Sequence, residues 1–180
     1  MVYGLGETVL DIILTPGEQA VVRPGGSVLN ALVSMGRSGL KCFLISEFAE
    51  DQSGRHIGSF LAGNGVDIRH SYKYKDGKTT LALAWLDANR EASYSFYRQL
   101  PAERMQAVIP DFSPGNFLLY GSFFSLEPEI RPFVLQVLKQ AGDAGVTRVY
   151  DPNIRPAHSG DVPALLPFIR ENMARAHVVR

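Results

Sequence analysis

Short strand-like runs alternate with helix-like runs along most of this chain, and that rhythm narrows its fold more than any other feature. Val2–Glu7 is short and apolar, and Val9–Leu14 continues as a second extended run ended by Thr15-Pro16-Gly17. From Ser27 to about Arg37 the residues Val28, Leu29, Leu32, Val33 and Met35 fall largely on one side of a helix. Lys41–Glu47 reads as a buried strand. Asp51 to about Ala62 reads as a helix, with Ile57, Phe60 and Leu61 inward and Gly63-Asn64-Gly65 stopping it. Asn116–Tyr120 is a strand. Glu127 to about Ala144 repeats Ile130, Phe133, Val134, Val137, Leu138 and Ala141 at helical spacing, closed by Gly142 and Gly145. Thr147–Asp151 is a strand, Asp161–Arg175 a helix, and His177–Val179 begins another strand. Strands joined by helices pair in parallel, so the pattern predicts an α/β fold with a mainly parallel sheet, helices on both faces, and ligands near the strands' carboxyl ends.

The middle of the chain breaks the rhythm. Thr79–Asp87 alternates, with Leu81, Leu83 and Trp85 on one face, and Ala88-Asn89-Arg90-Glu91 turns it into Ala92–Arg98. There Ala92, Tyr94 and Phe96 alternate with serines. The segment predicts a β-hairpin, hence a small antiparallel sheet attached to the larger body.

Two stretches carry the density of polar and glycine residues expected of a site. In Pro24-Gly25-Gly26-Ser27-Val28-Leu29-Asn30-Ala31, two glycines allow close approach of a ligand to the backbone. A helix starting there offers free N–H groups and the positive end of its dipole, with Asn30 on the same face as Gly26. A small polar ligand fits this stretch; an ordinary Gly-Gly turn capped by Ser27 fits it as well. In Asp151-Pro152-Asn153-Ile154-Arg155, the prolines at 152 and 156 predict a stiff extended loop with Asp151, Asn153 and Arg155 on one side. That loop is either part of a site or a capped turn with Arg155 in a surface ion pair.

Other chemistries find little support. The chain has 180 residues, 46% of them hydrophobic, and eighteen basic residues cancel eighteen acidic ones, so nothing draws it to nucleic acid or an anionic membrane. A single cysteine, Cys42, excludes an internal disulfide and fits a reducing compartment. No apolar run is long enough to span a bilayer and no signal peptide is evident, which leads to the expectation of a cytoplasmic protein. Gly4-Leu5-Gly6 lacks the third glycine and the following helix of a dinucleotide-binding turn, and no G-x-x-x-x-G-K-[ST] occurs. The four histidines have no metal-ligand spacing. Ser122 lacks the G-x-S-x-G elbow.

Taken together, Gly4-Leu5-Gly6-Glu7 with Asp11, the Pro24–Ala31 stretch, the Tyr94–Arg98 strand and Asp151–Arg155 resemble the PfkB (ribokinase-like) family of carbohydrate kinases, fructokinases and 2-keto-3-deoxygluconate kinases in particular. The spacing of Gly39 and Gly54, with Asp51 between, also suits that family's N-terminal signature. The resemblance covers residues 1–180 and implies the N-terminal part of a three-layer α/β domain. A small β lid, with strands at about 9–15 and 79–98, would close over a sugar. It implies that Asp11 accepts hydrogen bonds from sugar hydroxyls, that Gly25, Gly26 and Asn30 complete the cradle, and that Phe96 and Arg98 lie on the covering strand. Asn153 and Arg155 would lie between sugar and transferring phosphate, Arg155 stabilising charge. The donor would be ATP with Mg2+, and the protein a homodimer through its lid.

The D-T-x-G-A-G-D signature of such kinases, which holds the general base and the anion hole, does not occur here. These 180 residues are therefore expected to hold a partial sugar site without phosphotransfer, most of the nucleotide and metal site lying outside them. Within the resemblance, Arg98 and Arg155 together favour an acceptor with an anionic group. Two alternatives remain beside it: a non-catalytic sugar-binding or sensing module, and a nucleoside kinase, whose base the aromatic lid residues would stack upon. A dinucleotide-dependent oxidoreductase built on Gly4 and Gly6 is the weakest reading.

Overall fold

In the computed structural model, which describes residues 1–87, 89, 92–154 and 162–180, the strand–helix rhythm builds one parallel sheet. Its centre is β1 (Val2–Leu5), paired on one side with β4 (Cys42–Ala49) and on the other with β9 (Phe117–Gly121). Beyond β9 lie β10 (Thr147–Asp151) and β11 (Val178–Val179). On the far side β4 pairs with β5 (Val66–Asp67) along its first residues and with β6 (Ser71–Tyr74) along its last.

Alternation along the central strands divides the core in two. Tyr3, Leu5, Phe43, Ile45, Leu118 and Tyr120 point to one side, where α3 (Arg131–Asp143) and α4 (Val162–Ala174) cover them with Val134, Leu138 and Ile169. Cys42 and Leu44 point to the other, under Leu29, Leu32, Ile57 and Leu61 of α1 (Ser27–Arg37) and α2 (Gln52–Gly63). The result is three layers with helices on both faces, as the sequence pattern predicts. Gly4 and Gly6 serve this packing: a Cβ on either would come within 2.6 Å of Val28, so both are spaces for α1.

The second sheet has the order β3-β2-β7-β8, with β2 at Val9–Leu14, β3 at Val21–Gly25, β7 at Lys78–Leu86 and β8 at Ala92–Gln99. The β7–β8 pair is antiparallel, as expected of the hairpin, whose turn residues Ala88, Arg90 and Glu91 lie outside the described residues. The pair at its centre, β2 with β7, is parallel.

Some boundaries differ from the sequence reading. Gly25 ends a strand, and α1 is capped by Gly26 without a side-chain bond, so Ser27 is its first residue and not its cap. The long helix expected from Glu127 starts at Arg131, because Phe123–Leu126 and Pro128–Ile130 form tighter 3-10 turns first. Asp161, the expected start of α4, lies outside the described residues. No described helix is long and apolar enough to cross a membrane.

Candidate sugar site at the switch point of the sheet

From β1 the parallel sheet grows through β4 in one direction and through β9 in the other, so its order reverses between β1 and β9. Crevices at such points, outside the carboxyl ends of the strands, are where open α/β sheets bind ligands. Here those ends are Gly6-Glu7 and Gly121-Ser122. Gly121 sits so close to β10 that a Cβ would fall 1.8 Å from the Asp151 carbonyl oxygen, and Ser122, with φ at 54°, donates its N–H to that same oxygen at 2.9 Å. Glu7 leads directly into β2 and the second sheet, which thereby stands at the crevice.

Asp11 lies on β2, opposite Arg23 of β3 and Ala82 of β7, and Ala82 lies opposite Phe96 of β8. Cross-strand partners share a face, so Asp11 and Phe96 face the same way, with only an alanine between them. Asp11 also lies against Gly25: a Cβ there would sit 2.0 Å from its Oδ2. Burial pushes its carboxyl up to about 6. Among the described residues no hydrogen bond or ion pair engages this carboxylate, and Arg23 beside it is exposed. A half-buried anion with open acceptor sites is a receptor for hydroxyl donors.

Gly25 hands over to Gly26, whose φ of 127° and whose approach to the Glu7 carbonyl oxygen (2.2 Å from a hypothetical Cβ) exclude a side chain. The first amides of α1 follow. The Gly26 carbonyl accepts the Asn30 N–H at 2.9 Å, and the Asn30 side chain projects on the exposed side of the helix, away from buried Leu29 and Leu32. Asp11 thus lies against Gly25, and Gly25, Gly26 and Asn30 follow one another along the chain from β3 into the first turn of α1.

On β8 the residues Tyr94, Phe96 and Arg98 share a face. Tyr94 and Phe96 are stacked with centroids 6.0 Å apart, and the Arg98 guanidinium lies 5.3 Å from the Phe96 ring centre. Arg98 is also held from behind: it donates to Glu7 at 2.9 Å and to Glu127 at 3.4 Å. Beyond it Arg104 joins Glu47 to Glu127, the latter at 3.0 Å. Burial raises the Glu7 and Glu47 carboxyls above their ordinary range, against the pull of the neighbouring arginines. Sequence reasoning missed Glu47, Arg104 and Glu127; Glu7 entered it only as part of the Gly4-Leu5-Gly6-Glu7 stretch.

In the Asp151 loop the carboxylate turns back on its own backbone. Asp151 accepts the Asn153 N–H at 3.0 Å, and Asn153 adopts a left-handed φ of 46°, so the segment is not extended at that residue as expected. Asn153 is half-buried near the end of β10; Arg155 lies outside the described residues. Among the described residues no three His, Cys, Asp or Glu side chains are grouped to hold a metal.

The pfkB family carbohydrate kinase model matches residues 3–179. This chain belongs to that family. It is 28% identical to a fructokinase of Salmonella typhimurium over 99% of its own length and 59% of the relative's, and 26% identical to fructokinase-1 of Oryza sativa over 87% and 52%. Among solved structures, the fructokinase of Vibrio cholerae with bound fructose, ADP and calcium superposes with a TM-score of 0.82 at 22% identity, covering 99% of this chain and 58% of that one. The chain thus spans between half and three fifths of the length of each of these three proteins.

Proposed function

We propose that this chain supplies the acceptor-binding half of an ATP-dependent sugar kinase of the fructokinase type, and that the phosphotransfer machinery belongs to a C-terminal portion of the same fold. The observation that carries this reading is Asp11 on β2: a half-buried carboxylate with no hydrogen-bond or ion-pair partner among the described residues, set against Gly25. Sugar hydroxyls donate to it; the α1 amides and Asn30 bind further hydroxyls; the β2–β7–β8 sheet acts as a lid whose Phe96 face excludes water and so limits wasteful hydrolysis of the donor. Asn153 and Arg155 keep the role between sugar and transferring phosphate that the family resemblance implies for them, Arg155 stabilising charge. ATP supplies the phosphoryl group and Mg2+ its charge neutralisation; the base that removes the hydroxyl proton lies outside these residues. Alone, the chain binds sugar without turnover.

The charge of the site selects among acceptors. Arg98, read from sequence as a contact for an anionic acceptor, is already neutralised by Glu7 and Glu127. Asp11 adds a further negative charge, so a neutral ketose fits better than a sugar acid. The other face of the lid sheet exposes Val22, Trp85 and Tyr97 and is where a homodimer would form. A cytoplasmic setting suits the ATP requirement.

Thermal melting with and without sugar tests this. Fructose at one hundred times its Kd adds about 2.7 kcal/mol, a shift of several degrees for a chain this size. The expected result is a shift with fructose, none with gluconate, and none in Asp11→Ala; no shift with any sugar, or an equal one in Asp11→Ala, overturns the reading.

A further inference from the structure

The strap Leu100–Met105, which returns the chain from β8 toward the parallel sheet, is fastened more firmly than a connection requires. The Arg104 side chain is only 10% exposed and joins Glu47 of β4 to Glu127, which follows the 3-10 turn after β9. Glu47 itself is 3% exposed and accepts the Met105 N–H at 2.7 Å, while Met105, at a left-handed φ of 51°, is buried in the core beside β4 and β9. The bonds form an alternating series: Glu47, Arg104, Glu127, Arg98, Glu7. Both ends rest on the parallel sheet or its immediate continuation. Arg98 is the one member that belongs to a strand of the lid sheet.

Each link constrains the next. Glu127 gives one carboxylate oxygen to Arg104 at 3.0 Å and the other to Arg98 at 3.4 Å, so the orientation of its carboxylate plane is set by both guanidinium groups. With Arg104 removed, Glu47 would be left buried beside a single backbone donor, and Glu127 would be free to turn toward Arg98 or toward solvent. Either movement changes the angle at which Arg98 holds β8 against Glu7.

We propose that Arg104 is a positioning residue of the lid: through Glu127 it fixes Arg98, and through Arg98 it sets the pose of the Tyr94–Phe96–Arg98 face beside Asp11. The proposal deepens the sugar-site reading and rests on it only for what the lid covers; the mechanical coupling exists without a ligand.

The test uses the full chain and four variants: Arg104→Gln, Arg104→Lys, Arg98→Gln and the Arg98→Gln/Arg104→Gln double. Hydrogen–deuterium exchange without ligand is read separately in β8 and in β9. Arg104→Gln is expected to speed exchange in β8 about tenfold while β9 keeps its protection, and the double variant to exchange no faster in β8 than Arg98→Gln alone. Arg104→Lys keeps a charge beside Glu47 but cannot span two carboxylates, so it folds and still loosens β8, which keeps the test decisive if the glutamine variant does not fold. Fructose affinity is expected to fall about tenfold in Arg104→Gln, with no further loss when Arg98→Gln is already present. Equal acceleration in β8 and β9, additive losses in the double, or unchanged β8 exchange in Arg104→Lys each overturn the proposal. If the unsubstituted chain binds no fructose, the sugar reading fails by itself, and the exchange data still decide the role of Arg104.

Discussion

Asp11→Asn separates what the site costs the fold from what it does for a ligand. Burial moves the Asp11 carboxyl from its ordinary 3.8 to about 6, so ionising it is harder in the folded chain than in the unfolded one. The difference is about two pH units at about 1.4 kcal/mol each, or roughly 3 kcal/mol for a fully dry group. Asp11 is only half-buried, and solvent screening cuts this to about 1–2 kcal/mol. The penalty is absent below about pH 4, where both states are protonated, grows between pH 4 and 6, and is complete above that. Asparagine has nearly the same shape and no charge, so at pH 7.5 the variant should melt about 4 °C higher than the parent, with the gap closing at pH 4. Fructose should then stabilise it far less, because hydrogen bonds to a charged acceptor contribute about 1.5–3 kcal/mol and a neutral amide recovers only part. The measurement is a pair of thermal melts at each pH, with and without sugar. A variant no more stable at pH 7.5, or one stabilised equally at pH 4, would refute the idea that desolvation sets the state of Asp11.

The two glycines should part company. Gly25→Ala places a methyl 2.0 Å from Asp11 Oδ2 without backbone strain, so the carboxylate swings aside; stability in urea changes by less than about 1 kcal/mol while the fructose-induced shift is lost. Gly26→Ala meets both a φ of 127° and the Glu7 carbonyl, and loses about 2–4 kcal/mol of stability in the same titration. Asp51 caps α2 through Gly54 at 2.8 Å and accepts two bonds from Thr79; burial opposes its ionisation, but these bonds hold its carboxyl below the ordinary range. Asp51→Ala should therefore cost about 1–3 kcal/mol at pH 7 by urea unfolding, with the difference shrinking as pH falls below about 4 and the native carboxylate is protonated. Trp85→Glu should abolish a dimer formed through the outer lid face, read by sedimentation, and leave fructose binding in place; an unchanged mass distribution removes that face from the assembly.

Local periodicity made much of the fold legible. The apolar spacing of Val28, Leu29, Leu32 and Val33 places α1 at Ser27–Arg37, and Thr147–Asp151 coincides with β10. β3 was not legible, because Pro24 and Gly25 argue against a strand; it is an edge strand, where a missing N–H breaks no ladder. In the candidate site, the closeness of Asp11 to Gly25 is readable because the two lie within fifteen residues of each other on neighbouring strands. The Glu47–Arg104–Glu127–Arg98–Glu7 series is not: Arg98 and Glu7 stand 91 positions apart, Arg104 and Glu47 stand 57 apart, and no periodicity links them. Asn153 escaped for a different reason. Proline at 152 fixes its own φ and says nothing of the residue after it, which the Asp151 carboxylate draws into a turn.

The lid sheet shows how one alternating pattern can serve two partners. Along β7 the residues toward Asp11 are Ala82 and Ala84, small enough to leave room between β2 and the stacked Tyr94 and Phe96 of β8. Their neighbours Leu83 and Trp85 point the other way and form, with Val22 and Tyr97, an apolar face outside the site. A slip of one residue in the β2–β7 register would exchange the faces and place Leu83 beside Asp11, closing the space above it. Register in this small sheet therefore decides whether the space beside Asp11 stays open. Among the contacts that hold it in place are those from Arg98 to Glu7 and Glu127, so the carboxylates that set the negative charge beside this sheet also fasten it to the parallel one.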